Sequence, residues 1–557
     1  MIGERANANP VTAEIIRNAL IAITDEMKSN LMRTAYNSII YEALDYTVGL
    51  FDADGNTISI GLGLPMFIRG LSDCIKAKLD HYGAGGIYPG DIILTNDAYI
   101  TGSHLNHLVF TLPIFVEDRL VAFASTMAHW QDIGGSLAGQ TRDIFSEGLQ
   151  IPIVKFFKAG VQDVELTEII RTNVRLPELA MGDLRAQLAA IRTGERRFIA
   201  LAQRYGVGTV LACMAALDAH SERVARDAVS EIPDGIYEAS SFMDDDGVTS
   251  DRLEIGVRVI VRGDTMTIDL SNVNPQVAGY FNSGATAGRS AAQVAFKCLT
   301  TPTTYPINDG AFRPLEILLP PGRVISALKP AAMRRWMTIP MTVVDTIFKA
   351  VADAIPERTI AGHHADLCNP HFYGLNPKDG RFFYRMLMPG GGWGAKFNED
   401  GVSATVAIND GDTHNSPIEA AEAKIPIRIE RYGLRTDSGG PGEFRGGLGV
   451  ELRFRALCPI RINIHTERTQ CAPWGLHGGL PALANRVIIE RADGRREMRR
   501  NGKLDAEPLA ENDVLITESG GGGGFGDPRG RDRAAVRADI RNGYVSIEAA
   551  ARDYGLT

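Results

Sequence analysis

Hydrophobic residues recur every three or four positions near the start of the chain, over residues 10–35. The residues that carry this spacing are Ile16, Leu20, Ile23, Met27 and Leu31. A period of this length places them on one face of an amphipathic helix. Asn9-Pro10 comes just before the pattern, and an N-cap asparagine followed by proline is a typical helix start. We therefore predict a helix over residues 10–35.

Short apolar runs joined by turn residues predict two β-hairpins further along. In residues 45–61 the turn is Asp52-Ala53-Asp54-Gly55, and the second hairpin joins residues 108–116 and 119–127 at Glu117-Asp118. Aspartate and glycine between two apolar runs favour a hairpin turn. A helix over residues 67–82 and a short buried strand at 92–94 are predicted between the two hairpins.

The hydrophobic period changes near residue 232. Two helices are predicted between residues 163 and 230, whereas residues 251–271 alternate between apolar and polar positions as strands do. The other predicted elements are helices at 285–300 and 337–355, strands with glycine turns over 382–470, and two short helices in 531–557. Because strands and helices do not alternate regularly, a doubly wound sheet is not favoured.

These elements predict a mixed α+β, multi-domain fold. An N-terminal helical and β-hairpin region, which would bear a metal, precedes β-rich, glycine-rich domains. A chain of 557 residues accommodates about three or four domains. The predicted parts are an N-terminal α+β domain (1–231), a central mixed α/β domain (232–420), a C-terminal β-rich domain (421–530) and a short helical tail (531–557).

Charge and cysteine content exclude several classes of protein. The 58 Lys and Arg against 67 Asp and Glu give a net charge of -9 without a long basic run, which argues against binding to nucleic acid or anionic membranes. Six scattered cysteines without a C-x-x-C pair indicate neither a disulfide scaffold nor a zinc finger. The polar N-terminus and the lack of an apolar stretch of about 18 residues predict a cytoplasmic protein without membrane segments.

Glycine is over-represented, with 59 residues against a usual level of about 7%. The glycines cluster at turns, and the longest run covers residues 520–524. Asp527-Pro528 follows this run where a phosphate loop would have Lys-Ser or Lys-Thr. The sequence therefore predicts no ATP site within this chain.

The densest group of chemically reactive side chains lies between Asp45 and Asp132. His104 and His107 are three residues apart, and His129 follows the second predicted hairpin. A hairpin returns its end to its beginning, so His129 should lie beside the other two imidazoles. Converging neutral imidazoles are natural ligands for Zn²⁺, Mn²⁺ or Fe²⁺, with Asp45 or Asp132 as the oxygen ligand. The alternative interpretation is three ordinary histidines around a turn.

A second set of possible ligands contains His363, His364, Asp366 and His371. These residues fall in an irregular stretch around Asn369-Pro370, and no predicted hairpin or helix brings them together. They are the weaker candidate for a metal site.

The chain resembles the hydantoinase B/oxoprolinase family, the B-type subunits of N-methylhydantoinases, 5-oxoprolinases, and acetone and acetophenone carboxylases. The resemblance runs nearly end to end. It is carried by Asn9-Pro10-Val11-Thr12, Asp45-Tyr46-Thr47, Asn96-Asp97, Asp132-Ile133-Gly134-Gly135, residues 147–152, Asn173-Val174-Arg175, residues 182–187 and 194–197, residues 437–442, Pro473-Trp474-Gly475 and the glycine run before Asp527-Pro528.

This resemblance implies a complex with a hydantoinase A-type subunit, which has an actin-like fold and binds and hydrolyses ATP with Mg²⁺. The partner would phosphorylate a carbonyl or enolate oxygen, and the B-type chain would hold a divalent metal. The metal-binding positions carried over are Asp45, His104 and His129. In the hydrolases, metal-activated water attacks the activated cyclic amide, and Asp132 is a possible base or orienting residue.

One departure from the family pattern lies inside the predicted site. The usual pattern is Gly-Thr-His-Leu-Pro-Asp, whereas this chain has Asn106-His107 in place of Pro-Asp, and Trp130 replaces a frequent second histidine. An imidazole in place of a carboxylate removes a negative charge and shifts preference toward Zn²⁺ or Fe²⁺. We therefore include His107 among the predicted ligands.

Three functions remain open at this point. The first is the metal-binding catalytic subunit of an ATP-dependent hydrolase acting on a hydantoin, 5-oxoproline or another lactam. The second is a subunit of an ATP-dependent ketone carboxylase of the acetone or acetophenone type. The third is a non-catalytic scaffold for the ATPase subunit. In each case we expect a hetero-oligomer of A and B subunits, and in the first two a small-molecule substrate.

Overall fold

A computed structural model describes residues 9–137, 139–301 and 307–556, so the polar N-terminal segment examined above lies outside it. The N-terminal part contains seven helices and seven strands among these residues. The helices are α1 (Pro10–Thr34), α2 (Ser38–Tyr41), α3 (Gly70–Tyr82), α4 (Ala98–Thr101), α5 (Val164–Asn173), α6 (Pro177–Tyr205) and α7 (Val207–Ser230). The strands are β1 (Tyr46–Asp52), β2 (Thr57–Leu62), β3 (Ile92–Thr95), β4 (His107–Val116), β5 (Arg119–His129), β6 (Val154–Lys158) and β7 (Val161–Gln162).

The seven strands form one antiparallel sheet in the order β2-β1-β5-β4-β3-β6-β7. Helices α1 and α6 pack together, and α6 also contacts β4 and β5. Their apolar faces share a core with the sheet, including Met27, Phe110 and Leu184. Two helices therefore cover the middle of the sheet, where the predicted second hairpin lies.

Both hairpins and the first helix are confirmed, but residues 163–230 form three helices where two were predicted. Val174 has an extended backbone and ends α5, and Pro177 lies in the first turn of α6. Gly206, with φ of +83°, separates α6 from α7. Within the described residues no single helix is long and apolar enough to cross a membrane, and only α6 and α7, bent by 106°, satisfy length and composition together.

The central part consists of a four-stranded sheet covered by two helices. Its elements are β8 (Gly235–Met243), β9 (Leu253–Arg262), β10 (Thr265–Asp269), α8 (Ala285–Thr300), β11 (Leu315–Leu318) and α9 (Thr338–Val351). The strand order is β11-β10-β9-β8, and β10 pairs with β11 in parallel. Helices give way to strands near residue 232 as predicted, yet one core contains both Phe51 and Val259. The four-part domain division stays a prediction.

The C-terminal part contains two packed sheets and a short helical tail. Its elements are β12 (His371–Leu375), β13 (Phe382–Met386), α10 (Ile418–Lys424), β14 (Ile427–Leu434), β15 (Val450–Ala456), β16 (Ile460–His465), β17 (Arg486–Glu490), β18 (Arg496–Arg499), β19 (Lys503–Leu509), β20 (Val514–Glu518), α11 (Arg533–Arg541) and α12 (Ile547–Tyr554). The sheets have the orders β13-β12-β16-β19 and β14-β15-β20-β17-β18. Ile462 of the first sheet and Leu452 of the second share one core.

The glycine run at residues 520–524 packs against other backbone segments. A Cβ built on Gly522 would lie 1.8 Å from the Trp393 carbonyl oxygen, and one on Gly523 would lie 1.8 Å from that of Trp474. The Gly523 amide also donates a 2.7 Å hydrogen bond to the Gly362 carbonyl oxygen. Glycine is required here because no side chain fits between these segments, and the run forms no phosphate loop.

The Asp183 carboxylate connects α6 to the segment that precedes α2. Its Oδ1 accepts hydrogen bonds from the Tyr36 amide (2.8 Å) and the Asn37 amide (3.2 Å). Asn37 in turn donates through Nδ2 to the His129 carbonyl oxygen at 2.8 Å. Burial raises the pKa of Asp183 to about 7, although the two amide hydrogen bonds oppose the shift.

This raised pKa predicts a pH-dependent stability. Between about pH 4 and pH 7 the folded chain keeps a proton that the unfolded chain has released, so its stability falls as pH rises through that window. Asp183→Asn keeps an acceptor and cannot ionise. Its thermal unfolding midpoint should therefore rise relative to wild type by a few degrees between pH 5 and pH 8. A difference between the two unfolding midpoints that does not change with pH would contradict the raised pKa of Asp183.

The glycine packing predicts a large difference between two substitutions to alanine. Gly523→Ala should destabilise the C-terminal part by about 3 kcal/mol, the upper end for overpacking, because the added methyl would overlap the Trp474 carbonyl group. Gly433 in β14 has no heavy atom within 4 Å of a built Cβ, so Gly433→Ala is the matched control and should leave stability nearly unchanged. Urea unfolding followed by circular dichroism measures both, and equal effects would refute the packing role.

Candidate active site

The hairpin of β4 and β5 brings His107 and His129 to adjacent positions. His107 begins β4, His129 ends β5, and the two residues are direct partners in the antiparallel register. Beyond them, the Trp130 amide donates to the Asn106 carbonyl oxygen, and Asn106 Nδ2 donates to the Trp130 carbonyl oxygen, both at 2.8 Å. The open end of the hairpin is therefore held closed where the histidines lie.

Three imidazoles and one carboxylate meet at this end of the hairpin, and we call His104, His107, His129 and Asp45 the histidine cluster. The ring centroids of His104 lie 4.7 Å from His107 and 4.8 Å from His129, and the remaining pair is 5.2 Å apart. His107 Nε2 lies 3.0 Å from Asp45 Oδ1. The predicted convergence of the three rings is confirmed.

The backbone around His104 is set by a close contact between two helices. Gly102 ends α4 in the left-handed region, with φ of +82°, and a Cβ there would lie 2.4 Å from the Ala287 amide nitrogen in α8. Ser103 Oγ lies 2.8 Å from His107 Nδ1. Only glycine allows this approach at position 102, and the turn directs His104 toward the other two rings.

Burial keeps the imidazoles of His104 and His129 neutral. It lowers the pKa of His104 well below its ordinary value and that of His129 to about 4, and the charge of neighbouring imidazoles adds to both shifts. Burial would raise the pKa of Asp45, but the charge and hydrogen bond of His107 outweigh it, so the pKa is lowered. The cluster thus combines the neutral imidazoles of His104 and His129 with an ionised carboxylate.

The donor atoms fit a divalent metal in their chemistry. Both ring nitrogens of His104 and Nδ1 of His129 are buried without a hydrogen-bond partner among the described residues. Neutral imidazole nitrogen and carboxylate oxygen are the ligands that Zn²⁺ and related ions prefer. In the described part of the chain, however, no group of three or more His, Cys, Asp or Glu side chains has a geometry that could hold a metal ion. The metal therefore stays a prediction.

A cavity of about 80 Å³ borders the cluster at the junction of the three parts of the chain. Its polar wall includes Asp45, His104, His129, Arg334, Arg335 and Asp410, and its apolar wall includes Leu64, Trp336, Met337, Met386 and Met388. The Trp336 ring centroid lies 6.2 Å from that of His104. A small apolar pocket with a few converging polar groups is the usual form of a ligand site.

A sequence model of the hydantoinase B/oxoprolinase family matches residues 9–528. The chain belongs to this family. Caprolactamase subunit beta of Pseudomonas jessenii is 33% identical over 566 residues, which cover 98% of this chain and 96% of the relative. These matches confirm the resemblance that the sequence motifs indicate.

Two solved structures share the fold of this hydantoinase B/oxoprolinase family member. The crystal structure of ATP-dependent caprolactamase from Pseudomonas jessenii superposes with a TM-score of 0.92 at 30% identity, covering 99% of this chain and 97% of the other. The nucleotide-free structure of acetone carboxylase superposes with a TM-score of 0.91 at 20% identity, covering 99% and 80%. The second likeness shows the fold alone. The predicted mixed, multi-domain architecture is confirmed by these matches.

Asp132, predicted as a base or orienting residue, lies in the cavity wall but is engaged by Arg175. Its Oδ1 lies 2.6 Å from Arg175 Nη1 and accepts a 3.1 Å hydrogen bond from the Gly134 amide, while the Arg175 amide donates to Oδ2. Arg175 also donates to the Gly135 carbonyl oxygen. The geometry favours a positioning role for Asp132 in the 132–135 turn, and its catalytic role stays a prediction.

The second candidate ligand set does not form one site. His371 lies in the cavity wall with its Nδ1 2.6 Å from the Tyr384 hydroxyl, whereas Asp366 accepts hydrogen bonds from the Cys368 and Glu467 amides. His363 lies 3.3 Å from Asp345 instead. The lower weight given to this set agrees with the structure.

Several cavity residues escaped sequence analysis. Arg334 donates through Nη1 to Asn106 Oδ1 (3.1 Å) and through Nη2 to the Glu147 carbonyl oxygen (2.8 Å), so it holds the turn that contains His104. Asp410, 2% exposed, has an unpartnered Oδ2 among the described residues. These residues are more than 200 positions from the histidines and show no local spacing pattern. The one local signal is that Arg334 and Arg335 interrupt the otherwise apolar residues 331–337, and no sequence signal points to Asp410.

The Asp132–Arg175 contact predicts coupled effects on stability. Asp132→Asn and Arg175→Gln each remove the same ion pair. The double variant should therefore lose about 1–2 kcal/mol less free energy of unfolding than the sum of the two single losses. Chemical unfolding of the four proteins gives this coupling. Additive losses would show that the pair contributes nothing to the turn.

Proposed function

We propose that this chain is the metal-bearing catalytic subunit of an ATP-dependent hydrolase of small cyclic amides. The observation that carries the proposal is the histidine cluster in the wall of a small cavity, within a chain of the hydantoinase B/oxoprolinase family. The 33% identity to a caprolactamase beta subunit supports a cyclic amide as substrate. Hydantoin, 5-oxoproline and other lactams are the candidate rings.

His104, His107, His129 and Asp45 are the proposed ligands of a divalent ion, Zn²⁺, Mn²⁺ or Fe²⁺. A divalent ion bound there would supply Lewis acidity to a ligand in the adjacent cavity. Because the imidazoles of His104 and His129 are neutral, the ion would not compete with protons for them at physiological pH. His107 Nε2 and Asp45 Oδ1 lie 3.0 Å apart in a hydrogen bond. This hydrogen bond would have to break for both residues to bind the ion.

The other cavity residues exclude water and hold protons. Trp336, Met337 and Leu64 cover the cluster with apolar surface, which strengthens every electrostatic interaction inside. Burial and the nearby charge of Asp45 raise the pKa of Asp410 well above its ordinary value. A protonated Asp410 can donate its Oδ2 hydrogen to the nitrogen that leaves when an amide bond opens.

We further propose that ATP and Mg²⁺ bind to a separate subunit of the hydantoinase A type. The amides of residues 521–524 all donate to backbone carbonyl oxygens of other segments, so none of them is free to bind a phosphate. An amide is a poor electrophile because of its resonance, so phosphorylation of its oxygen by the partner would make ring opening favourable. The caprolactamase relative is a beta subunit, which agrees with a complex of more than one kind of subunit.

Metal content tests the ligand assignment. The purified full chain should bind a divalent ion, and His104→Ala and His129→Ala should weaken binding by more than the roughly 10–100-fold that losing a supporting hydrogen bond costs. His414→Ala removes an exposed histidine, 65% accessible, and is the matched control. Elemental analysis after dialysis against Zn²⁺, Mn²⁺ or Fe²⁺ provides the measurement. A wild-type chain that retains none of these ions would refute the metal site.

Turnover of the reconstituted complex tests the reaction. ATP hydrolysis should rise on addition of a lactam or hydantoin and should not require bicarbonate. Stimulation only by a ketone together with bicarbonate would indicate a carboxylase and reject the hydrolase proposal. Full turnover by the His129→Ala complex would indicate a scaffold role for this chain.

A further inference from the structure

Arg335 is a buried cation whose hydrogen-bonding groups are largely unused. Its side chain lines the cavity, and the residue is only 8% exposed. Nη1 donates to the neutral Asn369 Oδ1 at 3.0 Å, whereas Nε and Nη2 have no partner among the described residues. Asp366 acts on this charge electrostatically but forms no hydrogen bond with it. A buried guanidinium with two unpartnered nitrogens is costly, so such an arginine marks a place where a ligand supplies the missing acceptor.

The neighbouring arginine shows the contrast. The two terminal nitrogens of Arg334 donate to the Asn106 side chain and to the carbonyl oxygens of Ser136 and Glu147. Arg334 therefore has a structural role. Arg335 is held by its backbone amide, which donates to the Tyr280 carbonyl oxygen at 3.0 Å, and by one side-chain hydrogen bond, from Nη1 to Asn369. Its guanidinium therefore faces the cavity with a free edge.

Helix α9 begins beside the same guanidinium. Met337 and Thr338 form its start and line the cavity, and the 14-residue helix has no side-chain cap at its N-terminus and no acidic residue in its first turn. The N-terminus of a helix carries partial positive charge and binds anions. A second, independent group that prefers an anion thus opens on the same space.

His371 adds a neutral donor to this wall. The Tyr384 hydroxyl lies 2.6 Å from His371 Nδ1, and Nε2 has no partner among the described residues. Burial and the charge of Arg335 lower the pKa of His371 well below its ordinary value. In the tautomer whose Nδ1 accepts from the Tyr384 hydroxyl, the ring hydrogen is on Nε2, which can donate to a ligand.

We infer that Arg335, the N-terminus of α9 and His371 form a subsite for an oxyanion of the ligand, beside the histidine cluster. The anion is a carboxylate on the cyclic amide or the phosphoryl group placed on its oxygen, since a guanidinium fork binds either one bidentately. Trp336, the next residue after Arg335, lies against the rings of His104 and His107 at 6.2 and 5.7 Å. The subsite would therefore hold the anionic end of a small ring whose amide reaches the cluster.

For the ring itself this inference rests on the proposed function, and binding to the full chain tests it separately from turnover. 5-Oxoproline and 2-pyrrolidinone share one lactam ring and differ by a carboxylate. If the subsite binds the carboxylate, calorimetry should show that 5-oxoproline binds roughly 10–100-fold more tightly than 2-pyrrolidinone. A difference of this size is the usual effect of a hydrogen bond to a charged group. If the subsite binds a phosphoryl group instead, inorganic phosphate should bind, and the two lactams should bind with equal affinity.

Variants at position 335 decide between ligand recognition and a structural role. Arg335→Met should abolish the anion preference, and Arg335→Lys should keep part of it, because the charge remains without the fork. Arg381→Gln removes one exposed positive charge and is the matched control. Thermal unfolding of Arg335→Met should be at or above the wild-type midpoint, since an uncompensated buried charge is removed.

The outcomes separate this inference from the proposed function. A wild-type chain that neither prefers 5-oxoproline over 2-pyrrolidinone nor binds phosphate overturns the subsite, as does a preference or phosphate binding that is unchanged in Arg335→Met. Loss of stability in Arg335→Met with unchanged anion binding assigns a structural role. An Arg335-dependent preference in a chain whose complex opens no lactam would keep the subsite and reject the proposed function.

Discussion

The antiparallel pairing of β4 with β5 is the constraint on which the site depends. Its register places His107 opposite His129, and the hydrogen bonds between Asn106 and Trp130 hold that register at the open end. A slip of one residue would turn every side chain of the hairpin to the other face of the sheet. The apolar packing of α6 on both strands opposes such a slip. The stability of the sheet therefore determines whether the imidazoles meet.

Around this hairpin the protein concentrates polar groups that the fold itself leaves unsatisfied. His104, Arg335 and Asp410 are all buried, and each has at least one polar atom without a partner among the described residues. Desolvation of such atoms opposes folding, so the large cores on either side have to compensate for it. Departures from local consistency of this kind are expected where a protein binds a ligand. The polar wall and the proposed chemistry are thus two aspects of one arrangement.

Hydrophobic spacing was sufficient to predict the elements that build the cluster, because both hairpins and α1 are local and strongly patterned. It was insufficient for the helices between 163 and 230, where a single glycine, Gly206, and an extended residue, Val174, create breaks that periodicity does not register. Asp132 was selected from its motif, yet its ion pair with Arg175 depends on a contact 43 residues away. The role of Arg335 could not be predicted from the sequence, because its lack of hydrogen-bond partners is a property of the tertiary structure alone.

The cavity is bordered by residues from Ala43 to Thr413, so it is enclosed only when the three parts of the chain have come together. During synthesis the histidine hairpin emerges from the ribosome some 200 residues before Arg334 and almost 300 before Asp410. N-terminal parts generally fold first, and the imidazoles would then be open to solvent while the covering segments are still being made. The order of translation would thus give the proposed ion its easiest access early, and closure by the later segments would retain it.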